Sequence, residues 1–229
     1  MTGKERMMIA LKRLKPDRLP VTVHQWQGYH LETFMNGMSA LDAFKFCGMD
    51  AAIQYFKAMD QFWIPDAEQY IVQTTDRKEA IEVISGDRDN KILHHTITTP
   101  GGKLTYKTGG NRTTTWITEY LIKHHEDIDL IDKYMPVAKL NQSNISRTYD
   151  ELGDAGILRG FVWGDQAGCW QHACCLMNFQ QLIIEAYDSP EWVHRLLNIL
   201  LRKKLRFIEE SFAGAKFDLI ETGAPPAIR

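Results

Sequence analysis

The stretch ILRGFVW at residues 157–163 is the part of the sequence that most directly indicates the fold. This apolar run begins after Gly156 and ends in the polar residues GDQ at 164–166. Short apolar runs between such breaks are typical of buried strands. Three similar runs are LPVTV at 19–23, AAIQYF at 51–56 and FDLIE at 217–221. We therefore predict four buried strands of this kind.

Helical signals separate these runs. Thr2 with Glu5, and Ser39 with Asp42, have the spacing of capping boxes at helix starts. A long helix is predicted to start after Ser189 and to carry one apolar face. We assign to that face Val193, Leu196, Leu197, Leu200, Leu201, Leu205, Ile208 and Phe212. Helices that alternate with short apolar strands predict a parallel α/β fold.

The segment from about residue 78 to 122 has a different pattern. Its β-branched and aromatic residues lie in runs that are separated by Gly-Asp, Pro-Gly-Gly and Gly-Gly-Asn turns. We expect an antiparallel excursion from the α/β pattern there, and no separate domain.

Composition and charge exclude several classes of function. The formal net charge is -2, so no global basic field attracts nucleic acid. We expect no secretory signal and no membrane span, because no apolar run approaches about 20 residues. Four cysteines are too few and too clustered for a disulfide framework, which favours a cytoplasmic protein.

Motifs near both ends of the chain resemble those of one enzyme family. TGKER at 2–6 and KPDRLPV at 15–21 are similar to the family's first helix and its entry to strand one. SPE at 189–191, AGA at 213–215 and DLIE at 218–221 are similar to a later helix and strand. On these motifs the chain resembles the uroporphyrinogen decarboxylase superfamily. The resemblance implies one domain over 1–229, a TIM-type (β/α)8 barrel that carries the excursion.

A hairpin motif favours one branch of that superfamily. TPGGKLT at 99–105, WITEY at 116–120 and Lys123 with Glu126-Asp127 resemble the corrinoid methyltransferase-like branch. The decarboxylases themselves have an arginine-rich loop after strand one, whereas HQWQGYH at 24–30 contains no arginine. Their essential aspartate aligns by ungapped count with Lys57.

Three functions remain open. The first is transfer of a methyl group between a corrinoid protein and a small acceptor. The second is decarboxylation of uroporphyrinogen III, a tetrapyrrole, in haem biosynthesis. The third is a non-catalytic binding protein on a decayed barrel. The partners would be a small-molecule or tetrapyrrole substrate, a corrinoid protein and, by self-association at exposed strand edges, a second copy of the chain.

Barrel enzymes carry their chemistry at the carboxyl ends of the strands. This rule selects His24, Asp165 and Glu221 as catalytic candidates, because charged or titratable groups there come after apolar runs. It selects as substrate-binding candidates Gln25, Trp26, Lys57, Asp60 and Gln166.

The cluster formed by Cys169, His172, Cys174 and Cys175 has no standard zinc spacing, so we expect small buried hydrophobes there. The resemblance implies zinc, with ligands beyond Arg229, and we assign no metal ligand within the chain. Four strands against the eight of a closed barrel predict an incomplete barrel. We therefore expect the isolated chain to be unable to run a complete catalytic cycle.

Overall fold

The computed structural model describes residues 1–55, 70–72, 76–87, 90–162 and 168–221. Its helices are α1 (Gly3–Leu11), α2 (Gly28–Phe34), α3 (Ala40–Phe46), α4 (Asp127–Tyr134), α5 (Gln142–Leu152), α6 (Gly168–Leu176), α7 (Phe179–Asp188) and α8 (Pro190–Phe212). Its strands are β1 (Ala51–Gln54), β2 (Tyr70–Val72), β3 (Lys78–Gly86), β4 (Lys91–Thr99), β5 (Gly102–Gly110), β6 (Thr115–Glu119), β7 (Ala138–Leu140), β8 (Gly156–Phe161) and β9 (Leu219–Glu221).

A parallel sheet with the strand order β1-β8-β9 confirms the α/β prediction. Ala52 is paired with Ile157, and Arg159 is paired with Leu219. Helices lie in both connections, as parallel neighbours require. The described strands form an open sheet and not a closed barrel.

The predicted strand at 19–23 is wrong. These residues form an irregular segment, and Leu19 is 82% exposed. Pro20 has no N–H to give to a ladder, and the Val21 N–H donates to the Asp50 carboxylate at 3.0 Å. The Asp50 N–H in turn donates to the Val21 carbonyl at 2.8 Å. One residue, Asp50, therefore fixes the segment where a strand was expected.

The antiparallel excursion is confirmed as a four-stranded meander in the order β3-β4-β5-β6. His95 lies opposite Tyr106, and Ile97 lies opposite Leu104. All four side chains are buried. A further antiparallel pair, β2 with β7, was not predicted.

Helix α8 begins at Pro190 as predicted, and Val193, Leu196 and Leu200 are buried as expected, but the rest of its buried face differs from the prediction. Leu201, Leu205 and Ile208 are 36–47% exposed. The buried positions are Val193, Leu196, Ile199, Leu200, Lys204, Phe207 and Ser211. The Ser211 hydroxyl accepts a hydrogen bond from the Leu140 N–H at 3.1 Å. A polar residue therefore occupies the core face because it satisfies a buried backbone donor.

A buried ion-pair cluster joins α1 to the start of β1. Arg6 donates to Asp17 through Nε at 2.7 Å and to Asp50 through Nη1 at 2.5 Å. Hydrogen bonding to Arg6 lowers the pKa of Asp17 to about 2. None of the helices in the described ranges is both long and apolar enough to cross a bilayer.

Candidate functional site

One face of the parallel sheet brings polar side chains to its carboxyl edge. Near the other edge, Ala52, Ile157 and Leu219 pack against α1. Side chains two residues apart on a strand share a face. Gln54, Arg159 and Glu221 therefore continue that face toward the carboxyl ends of β1, β8 and β9.

The opposite face of the sheet packs against α8 and the segment after it. A Cβ built at Gly160 would lie 2.7 Å from the Phe212 ring and 3.0 Å from the Phe217 ring. Such distances leave no room for a side chain, so Gly160 lets the helix end and this segment approach β8. Arg159, the neighbour of Gly160, must point to the other face.

Arg159 is the centre of the edge site. Its Nη1 donates to Glu221 Oε1 at 2.5 Å, and its Nη2 donates to the backbone carbonyl of His24. The residue is only 6% exposed, so its charge needs a partner in the protein. Arg159 thereby ties β8 to the end of β9 and to the segment that carries His24.

His24 and Glu221 form the more accessible part of the site. Their Nε2 and Oε2 atoms are 3.9 Å apart, which is longer than a hydrogen bond and within ion-pair distance when the imidazole is protonated. The His24 side chain is 64% exposed and that of Glu221 is 23% exposed. Both side chains therefore reach solvent at the carboxyl edge.

Of the predicted substrate-binding residues, the structure describes Gln25 and Trp26. Gln25 is exposed, and Trp26 packs edge-on against Phe44 with the ring centroids 5.8 Å apart. The sequence-predicted Lys57, Asp60, Asp165 and Gln166 lie outside the described residues. The structure thus brings His24 and Glu221 together and leaves the placement of those four residues open.

Two residues of this edge, Gln54 and Arg159, were missed in the sequence. Both lie inside runs that were assigned as apolar strands, and the strand-end rule selects only residues located after a run. The sequence does contain a signal for Arg159, because a charged residue within a buried strand must be paired or functional.

Helix α6 carries three cysteines, and all three are partly buried. Cys169 and Cys174 pack against the core, and burial raises the pKa of both thiols. His172 is fully buried, and burial lowers its pKa to about 3. A protonated thiol is a poor nucleophile and metal ligand, so α6 is a packing element.

Within the described ranges, no three His, Cys, Asp or Glu side chains converge as a metal site. His24 and Glu221 supply two potential ligands, and the third nearby charge, Arg159, repels a cation. The described residues of this edge therefore do not suit zinc.

No protein-family model, curated protein or solved structure matches this chain. The resemblance to the uroporphyrinogen decarboxylase superfamily rests on sequence motifs alone.

Proposed function

We propose that the chain belongs to the uroporphyrinogen decarboxylase superfamily and transfers a methyl group between a corrinoid protein and a small acceptor. In this proposal β1, β8 and β9 are an arc of a (β/α) barrel, and their carboxyl edge is the active site. The observation that carries the proposal is the His24–Glu221 pair, held at that edge by Arg159. Active sites of barrel enzymes lie at this end of the strands.

Methyl transfer to an acceptor such as a thiol needs a base. The acceptor's S–H proton passes to His24, and the sulfur electron pair forms the new bond to the methyl carbon. The electron pair of the broken carbon–cobalt bond stays with the corrinoid, which leaves the site as the second product. His24 releases the proton to water, to which its side chain is 64% exposed.

Glu221 supports this base through its charge. Its Oε2 lies 3.9 Å from His24 Nε2, close enough to pair with the imidazolium that forms when His24 takes the acceptor's proton. The other oxygen of Glu221 is fixed by Arg159 at 2.5 Å, which orients the carboxylate. His24 is thus a catalytic residue in the proposal, and Arg159 is a positioning residue.

Decarboxylation of uroporphyrinogen is the second candidate, and Arg159 is the observation that favours it. A substrate with several carboxylates needs several fixed cations. The charge of Arg159 is already matched by Glu221, and the segment 24–30 contains no arginine. The described edge therefore supports methyl transfer better. A non-catalytic binding protein could use the same polar carboxyl edge of the sheet to hold a ligand, but it would not need the His24–Glu221 pair.

A single-turnover assay separates these functions. The protein is mixed with methylcobalamin and a small thiol, and separately with uroporphyrinogen, and thioether and carbon dioxide are measured. We expect thioether above the protein-free control, at a rate below the ordinary range of about 1–1000 per second. Carbon dioxide release would favour the decarboxylase. Neither product above its control would leave only the binding protein.

A further inference from the structure

Three side-chain atoms near the candidate site are buried without a hydrogen-bond partner among the described residues. They are Nε of Arg159, Nε1 of Trp26 and Oε1 of Gln54. Buried polar atoms are nearly always hydrogen-bonded, because an unmade bond costs free energy. Three such atoms in one region indicate that the protein keeps them for a bound molecule.

The three atoms belong to one place in the fold. Gln54 and Arg159 are direct register partners on β1 and β8 and share a face of the sheet. Trp26 lies two residues after His24, and the carbonyl of His24 accepts a hydrogen bond from Arg159. Gln54 and Arg159 therefore lie together at the carboxyl edge that carries Glu221, and Trp26 belongs to the segment that Arg159 binds.

Their chemistry specifies a complementary group. Arg159 and Trp26 offer two N–H donors, and Gln54 offers one acceptor. A carbonyl oxygen can accept from the Arg159 N–H, while an adjacent N–H of the same ligand can donate to the neighbouring Gln54. A carboxylate has no proton to donate to Gln54.

The charge of the edge points to the same group. Arg159 is neutralised by Glu221 at 2.5 Å, so an anionic ligand would bring a charge that nothing at the described edge compensates. We infer that the site binds a neutral amide, as a carboxamide or a cyclic amide, on its substrate or methyl donor. The inference rests on the proposed function only in taking this edge as the active site.

The test compares benzamide with benzoate, which share a shape and differ in charge and in the N–H donor. Binding is monitored by NMR through the indole N–H of Trp26, which is assigned with Trp26→Phe. We expect benzamide to shift this signal and to bind at least about tenfold more tightly than benzoate. Benzoate lacks the N–H that can donate to Gln54, and its negative charge would be buried without a partner.

Gln54→Met removes the acceptor and keeps the length of the side chain, so benzamide should bind about three- to tenfold more weakly. Gln180→Met, at an exposed position on α7, is the matched control and should leave binding unchanged. Equal or tighter binding of benzoate, or no shift with either probe, would overturn the inference. Methyl transfer without benzamide binding would contradict this inference and not the proposed function. Benzamide binding without methyl transfer would contradict the proposed function and not this inference.

Discussion

Arg159 Nη1 donates to Glu221 Oε1 at 2.5 Å, so the positive charge that enters the sheet on β8 is neutralised by the last residue of β9. The pair is unequal, because Arg159 is almost fully buried whereas the Glu221 side chain is 23% exposed. Removal of the carboxylate therefore leaves a buried cation, which costs more free energy than removal of both charges.

Glu221→Gln should lower the free energy of unfolding by about 2–4 kcal/mol. The double variant Arg159→Met with Glu221→Gln should lose less than the sum of the losses in the single variants Arg159→Met and Glu221→Gln, because no charge is left unpaired. Urea denaturation of the four proteins measures this coupling. Glu210→Gln breaks an exposed pair with Arg206 and should cost under about 1 kcal/mol. Additive single losses would contradict the pairing.

Asp50 is a second buried charge, and it accepts from Arg6, Arg18 and the Val21 N–H. Asp50→Ala removes one of the two carboxylates that pair with the buried Arg6 and leaves the Val21 N–H without its acceptor, so it should lower the free energy of unfolding by about 1–3 kcal/mol. Asp150→Ala removes an exposed carboxylate and is the matched control, with an expected change within about 0.5 kcal/mol. A similar small change in both variants would show that the cluster does not hold β1.

The buried face of α8 can be tested with two adjacent leucines. Leu200 is fully buried, whereas Leu201 is 43% exposed. Leu200→Ala should lower the free energy of unfolding by about 2–5 kcal/mol because it leaves a cavity. Leu201→Ala should cost clearly less, since only part of its side chain leaves the protein interior. The reverse order in thermal or urea unfolding would contradict the buried face that the structure gives α8.

The error about α8 shows a limit of sequence patterns. The apolar residues of this helix form a band wider than one buried face, and hydrophobicity alone does not choose its centre. The true face includes Lys204 and Ser211, which a hydropathy argument assigns to solvent. Which face of α8 is buried depends on a tertiary contact, the hydrogen bond from the Leu140 N–H to Ser211.

The other predictions succeeded where the deciding contacts are local in sequence and failed where they are not. Thr2 and Glu5 cap α1 reciprocally, because the capping box is a contact between residues three apart. The meander was predictable from its glycine-containing turns. The segment at 19–23 failed because Asp50, distant in sequence, takes the Val21 N–H. For the candidate site, the sequence singled out His24 and Glu221 because they follow apolar runs, and it did not single out Arg159, which lies inside β8.

Acid should unfold the protein through His172. Its pKa is about 3 in the folded state and near 6.5 when unfolded, so the unfolded state binds the proton first as the pH falls. The free energy of unfolding should therefore fall between about pH 6.5 and 3, by up to about 5 kcal/mol. His172→Leu should flatten this dependence, and His194→Leu, at an exposed position, should not. Urea unfolding across this pH range measures both slopes, and equal slopes would contradict the assignment.

The central claim is that His24, supported by Glu221, is the base of a methyl transfer at the carboxyl edge of the sheet. The most direct measurement is the single-turnover rate of thioether formation from methylcobalamin and a thiol in wild-type, His24→Ala, Glu221→Gln and His194→Ala proteins. Loss of a general base typically costs about 100- to 10,000-fold, so His24→Ala should reduce the rate by at least about 100-fold. Glu221→Gln should reduce it less, and the exposed control His194→Ala should match wild type. A His24→Ala protein that forms thioether as fast as wild type would contradict the account.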